Sequence, residues 1–196
     1  GTCSNSNNIT VTFNQQPTAT IATAGPVNEC DLDVDLAATP FVYLVSNAPT
    51  STWSYTGPGV VTWNGGDATD ADQSGLTVDT YGTYVFTWTE TNGSGACVSS
   101  ANITVNFYEQ PTADAGPATA SDCDLNLQLD AVQSVVGSTG LWTVVPPSGD
   151  ISFSDNSLFN PIVSSTTYGT YVLQFTETNG TCSNSNNITV TFNQQP

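Results

Sequence analysis

Apolar and polar residues alternate in short runs along most of this chain. Leu32, Val34 and Leu36 alternate with Asp31, Asp33 and Asp35, and Leu125, Leu127 and Leu129 alternate with Asp124, Asn126 and Gln128. A period of two places successive side chains on opposite faces of an extended backbone, so each run predicts a half-buried β-strand. The same pattern predicts strands carrying Trp53 and Tyr55, Val61 and Trp63, Leu76 and Val78, and then Tyr84, Phe86 and Trp88. Their counterparts carry Trp142 and Val144, Ile151 and Phe153, and Tyr171, Leu173 and Phe175; Cys97 or Cys182 leads into a last strand. Turn signals such as Gly57-Pro58-Gly59 and Gly65-Gly66-Asp67 separate the runs, and no stretch sustains a 3.6-residue apolar period. Seven short strands per half of the chain predict an all-β molecule of two tandem β-sandwich domains.

The halves are related to each other and to the ends. Tyr81-Gly82-Thr83-Tyr84 returns as Tyr168-Gly169-Thr170-Tyr171, Thr89-Glu90-Thr91-Asn92-Gly93 as Thr176-Glu177-Thr178-Asn179-Gly180, and Gln16-Pro17-Thr18-Ala19 as Gln110-Pro111-Thr112-Ala113. Residues 1–17 are also identical to residues 180–196, which sets a period of 179 residues. A fixed period marks a repeat architecture in which one unit follows another. The expected organisation is therefore the last strand of a preceding repeat in residues 1–17, with Ile9, Val11 and Phe13 on its apolar face, then one domain over 18–108 and a second over 111–196, the whole being part of a longer array.

Composition narrows the partners. The chain has no Lys, Arg or His and 17 acidic residues, for a formal charge of −17. Nucleic-acid binding needs Lys or Arg against phosphate, and anionic membrane surfaces need the same cations, so neither partner is expected. No apolar run is long enough to cross a bilayer, and no membrane insertion is expected. An acidic disordered tail is excluded by four Trp, eight Phe and seven Tyr at strand spacing.

Without His or Lys the usual general bases are missing, and nothing singles out one carboxylate pair, so catalysis is not expected. The acids read as solvated strand faces. One loop invites a metal: Asp70-Ala71-Asp72-Gln73-Ser74-Gly75, with Asp67 and Asp79 nearby, offers hard oxygens at alternate positions before a glycine, a calcium-type pattern. Its twelfth position is Tyr81 rather than Glu and the second domain has no counterpart, so a polar surface loop is the competing reading and no other cofactor is expected. Asn8, Asn92, Asn102, Asn179 and Asn187 each open an N-x-[S/T] triplet, which Thr-rich strand faces also produce. Trp63 and Tyr55 could stack a sugar if exposed, although their spacing is that of core residues.

Asp79-Thr80-Tyr81-Gly82-Thr83-Tyr84 resembles the corner of immunoglobulin-type sandwiches, in which a tyrosine hydroxyl bonds back to the backbone; Tyr84 and Tyr171 take that place. Trp53 and Trp142 resemble the core tryptophan of such domains, while Phe86 and Leu173 stand where antibody domains have a cysteine. The order of these motifs is similar to that of the PKD-like and immunoglobulin-like tandem repeats of large surface proteins secreted by the type IX system of Bacteroidota. The resemblance implies a secreted, extracellular or cell-surface protein, a stalk or filament whose partners are neighbouring copies of itself, and the alternative of a carbohydrate- or protein-binding adhesin module. In a secreted array the five cysteines imply disulfides. The simple pairing is Cys30 with Cys97 and Cys123 with Cys182. The strand order of an immunoglobulin-like sandwich would put those partners at opposite poles, beyond the roughly 7 Å between Cα atoms that a disulfide tolerates. The expected pairing is instead Cys30–Cys182 across the domain junction, Cys123 with the Cys97 copy of the following repeat, and Cys3 with the Cys30 copy of the preceding one.

Overall fold

Fifteen strands and a single 3-10 turn make up the regular structure of the computed structural model, which describes residues 1–44 and 47–196. Contacts divide the chain into a first unit of Gly1–Val27 and Leu32–Asn106 and a second unit of Asn28–Asp31 and Phe107–Pro196.

The first eight strands are β1 (Thr20–Ile21), β2 (Val27–Glu29), β3 (Asp33–Thr39), β4 (Thr50–Thr56), β5 (Val61–Thr62), β6 (Asp72–Val78), β7 (Gly82–Asn92) and β8 (Cys97–Phe107), and of β2 only Val27 belongs to the first unit. One sheet runs β1-β3-β6-β5 and the other β2-β8-β7-β4. The predicted alternation is present: Val34, Leu36, Leu76 and Val78 are buried from one sheet, and Trp53, Tyr84, Phe86, Trp88, Ile103 and Val105 from the other. Each such side chain contributes on the order of 1.5–3 kcal/mol by leaving water, and the polar residues between them stay at the surface. The β3–β6 ladder slips between Val34 and Leu36. This bulge lets Asp35 accept a hydrogen bond from Gly75 N at 2.7 Å instead of standing free on the exposed face.

The second unit carries β9 (Thr119–Asp122), β10 (Asn126–Gln128), β11 (Thr139–Val144), β12 (Ile151–Phe153), β13 (Ile162–Ser165), β14 (Gly169–Asn179) and β15 (Cys182–Phe192). Its sheets run β10-β13-β12 and β11-β14-β15-β9. Leu129 and Val163 meet Trp142, Leu173, Phe175, Ile188, Val190 and Phe192 in one core. The strand predicted from Cys123 to Leu129 is shorter than its alternation indicates. Only Asn126–Gln128 pairs, with β13; residues 123–125 lie outside any strand, and β9 before them ends at Asp122, parallel to β15 and opposite Phe192. A turn closed by Asp124 N on Asp122 Oδ1 at 2.9 Å separates the two strands and changes their sheet.

Residues 1–19 form no strand in this chain. Ile9, Val11 and Phe13 are 87%, 60% and 85% exposed, whereas the same letters in β15, at Ile188, Val190 and Phe192, are at most 3% exposed.

Candidate functional site

The long β7–β8 and β14–β15 hairpins organise each unit. Along β7 the inward row is Tyr84, Phe86, Trp88, Glu90 and Asn92, and every one of them is buried. Tyr84 donates its hydroxyl to Thr80 O at 2.9 Å, closing a turn of backbone onto its own ring. Burial pushes the Tyr84 phenol above its ordinary pKa. Tyr171 makes the matching bond to Thr167 O at 3.3 Å, from a half-buried position. The Tyr84→Phe variant is expected to lose about 1 kcal/mol of first-unit stability by urea denaturation. Tyr171→Phe is expected to lose less, because solvent reaches that hydroxyl; equal losses would tell against burial as the cause.

Trp53 and Trp142 fill the centres of the two units. Trp53 lies 5.3 Å from Trp88 between ring centroids and Trp142 lies 5.1 Å from Phe175. Trp142 Nε1 donates to Phe159 O at 3.2 Å, while Trp53 Nε1 is buried without a hydrogen-bond partner among the described residues. Trp63 and Tyr55 are half-buried against one another and against Phe86 rather than displayed as a sugar-stacking platform.

Two carboxylates contradict the reading of the acids as solvated faces. Glu90 and Glu177 are fully buried, at 1% and 0% exposure. Glu90 accepts hydrogen bonds from Phe41 N at 2.8 Å, Trp88 Nε1 at 3.0 Å and Tyr43 Oη at 3.1 Å. Glu177 accepts from Ser134 N at 2.9 Å, Ser134 Oγ at 2.8 Å, Val135 N at 3.1 Å and Ser138 Oγ at 2.5 Å. Each carboxylate thus replaces water for a loop that crosses the end of its sandwich, with its own lone pairs satisfied by neutral donors. Burial alone would raise the Glu177 carboxyl, but the Ser138, Val135 and Ser134 donors outweigh it and hold the carboxyl below the usual glutamate range. The signal available in the sequence was phase: Glu90 and Glu177 fall in step with Trp88 and Phe175 on the inward face.

The four candidate metal ligands are not gathered. Asp67 Oδ1 accepts from Thr69 N and Thr69 Oγ1 at 2.8 and 2.7 Å, and the Thr69 hydroxyl and amide hold its carboxyl below the ordinary value. Asp70 Oδ1 caps Asp72 N at 3.0 Å, Asp72 Oδ1 caps Ser74 N at 3.1 Å, and Asp79 Oδ1 accepts from Val60 N at 2.7 Å. Those of Asp67, Asp70 and Asp72 are local Asx turns, a use short acids often find in loops, whereas Asp79 reaches a residue nineteen positions earlier. Among the described residues no group of three or more His, Cys, Asp or Glu could hold a metal ion. In this fold Asp67, Asp70 and Asp72 each close a local turn, and Asp79 holds the Val60 amide.

Cys30 and Cys182 form a disulfide, with Cα atoms 5.6 Å apart. Both lie in the second unit, since Asn28–Asp31 packs there. Cys3, Cys97 and Cys123 are free thiols, Cys97 half-buried and the others exposed. A cleft of about 700 Å³ in the first unit is lined by Thr20, Ile21, Pro26, Asn102 and Ile103 among others, with no acid or base in its wall.

No protein-family model matches the chain, and no curated protein matches it. Solved structures do. Immunoglobulin domains 1–4 of Sidekick-1 align at a TM-score of 0.53 and 10% identity over 92% of this chain and 50% of theirs. Extracellular domains 3–5 of Drosophila OTK align at 0.53 and 14% identity over 91% of this chain and 60% of theirs. The chain therefore spans about half to three-fifths of these structures. At such identities the likeness is one of fold: the chain is a pair of immunoglobulin-like β-sandwiches.

Proposed function

We propose that this chain is a structural segment of an extracellular fibre or cell-surface stalk, assembled from tandem immunoglobulin-like domains and supplying length, stiffness and protease resistance. The observation that carries the reading is the identity of residues 1–17 with residues 180–196. An exact period of two related sandwiches is what a spacer needs, because each unit then meets its neighbours in the same way. The disulfide supports an oxidising, extracellular setting, as does the resemblance to repeats of type IX-secreted surface proteins. Absence of Lys and Arg removes every trypsin-type cleavage site from the period, and the −17 charge keeps such a fibre apart from others at low salt. Trp63 and Tyr55 pack against one another and against Phe86, which favours the spacer reading over a sugar-stacking one.

The test is electron microscopy of the native material. Two sandwiches in line, each about 35–45 Å along strands of ten or eleven residues, give an axial repeat of about 70–90 Å. Discrete particles with no such repeat would overturn the proposal.

A further inference from the structure

The turn between β14 and β15 grips the segment that enters the second unit. Asn179 Nδ2 donates to Glu109 O at 2.9 Å and Gln110 Nε2 to Ser183 O at 2.8 Å. Gly180 has a φ of +59°, and a Cβ there would meet the Tyr108 ring at 2.4 Å, so the turn is closed down onto the segment. Beside it, Tyr108 N donates to Glu29 O at 2.9 Å, and the next residue, Cys30, is bonded to Cys182. The parts of this clamp are an Asn-Gly turn, a Gln-Pro segment, a β-strand end beside that segment, and a disulfide.

The first unit repeats the Asn-Gly turn and the Gln-Pro segment of this clamp, and among the described residues the strand end and the disulfide have no counterpart there. Asn92 Nδ2 donates to Gln15 O at 3.0 Å, Gln16 Nε2 donates to Val98 O at 2.7 Å, and a Cβ on Gly93 would meet the Asn14 side chain at 2.3 Å. The site adds Leu44 N to Gln15 Oε1 at 2.8 Å and Asn47 Nδ2 to Asn14 Oδ1 at 3.0 Å. Cys97, the counterpart of Cys182, lies with its sulfur 3.7 Å from Asn14 O and is a free thiol. Its missing partner stands elsewhere in the chain. Asn14-Gln15-Gln16-Pro17 is identical to Asn193-Gln194-Gln195-Pro196. Asn193 N donates to Asp122 O at 2.8 Å, as Tyr108 N does to Glu29 O, and the residue after Asp122 is Cys123, an exposed free thiol.

We propose that this clamp on the first unit is the receptor for the end of the preceding 179-residue period, Asn193–Pro196, and that Cys123 of that period bonds covalently to Cys97. The occupant is the same chain one period earlier, and residues 14–17 already show its seat. Cys97 is thus not a lone cysteine: its repeat counterpart is bonded, and the bonded partner's counterpart is delivered by the docked segment. With a disulfide oxidant such as oxidised glutathione, one thiolate attacks the oxidant and expels a glutathione thiolate. The second thiolate then attacks the mixed disulfide and expels the other. Two protons leave the protein thiols, one S–S bond forms between Cys123 and Cys97, and the oxidant is reduced to two thiols. Both clamps of every period then carry a disulfide. The inference rests on the fibre reading and adds its connector.

The test uses a polypeptide of two full periods sharing one copy of the 17-residue overlap, oxidised in a glutathione buffer. Non-reducing peptide mapping with an acid-specific protease is expected to find Cys123 of the first period bonded to Cys97 of the second. Asn92→Ala in the second period is expected to slow formation of that bond about five- to tenfold by loosening the segment, while leaving Cys30–Cys182 unchanged. A free second-period Cys97, its pairing with any other cysteine, or equal rates with and without Asn92 would overturn the inference. The outcome separates from that of the fibre reading. A bond formed by material that never shows an axial repeat keeps the junction and loses the fibre, and fibres without the bond do the reverse.

Discussion

Glu177→Ala is expected to destabilise the second unit by about 3–5 kcal/mol, as other buried charged networks do when one member is removed. The carboxylate accepts from the amides of Ser134 and Val135, and it also takes the hydroxyls of Ser134 and Ser138. Truncation strands the amide of buried Val135 and the hydroxyl of buried Ser138, and it leaves a cavity as well. Hydrogen exchange resolved by segment is the suitable readout, because it follows each unit separately. Protection is expected to fall in β11, β14 and β15 and to hold in β3, β6 and β7. Equal protection in wild type and variant would mean that the loop over residues 133–138 is held by something other than Glu177.

The same carboxylate makes stability depend on pH. Its folded-state pKa lies below the unfolded value. Its contribution is therefore fully present above the unfolded glutamate value and is lost as pH falls through the folded one. The wild-type second unit is expected to weaken steeply in that acid window, whereas Glu177→Gln starts weaker at neutral pH and shows a flatter acid limb. A parallel acid limb in the two proteins would remove Glu177 from the explanation.

Much of this architecture is legible in alternation alone. Leu32 to Leu36, Tyr84 to Trp88 and Tyr171 to Phe175 declare their faces because one side of each strand is water and the other is core. Glu90 and Glu177 were misread from the same pattern, since residue type was weighed above phase. A carboxylate in step with Trp88 faces inward whatever its charge, and the chain compensates with donors from a loop distant in sequence, which no local rule reveals. The aspartates of the 67–79 segment show a different limit. Their spacing fits a calcium loop, but spacing cannot say whether a carboxylate turns toward a shared centre or toward the amide two residues ahead; here Asp67, Asp70 and Asp72 accept from that amide. Residues 1–17 carry the furthest-reaching limit. Their letters are those of β15, yet they form no strand here, because a strand is completed by the sheet beside it and not by its own sequence.

That last contrast gives a direct experiment on context. Phe13 and Phe192 occupy the same place in identical 17-residue segments, at 85% and 2% exposure. Phe192 packs with Tyr171, ring centroids 6.1 Å apart, in the core that holds Val190 and Ile188. Phe192→Ala is expected to cost about 3–5 kcal/mol, the sum of lost transfer energy and an unfilled cavity. Phe13→Ala in the same chain is expected to change stability by less than about 0.5 kcal/mol, as exposed substitutions do. Calorimetric melting of the two single variants beside wild type measures both. In a polypeptide of two periods, the shared segment is at once the last strand of the first period and the entry to the second, so one Phe→Ala change there is expected to carry the full cost of Phe192→Ala. A large loss for Phe13→Ala in the single-period chain would show that residues 1–17 are already part of a folded sheet and would remove this contrast. A small loss for the shared phenylalanine in the two-period chain would show that the periods do not join through this strand.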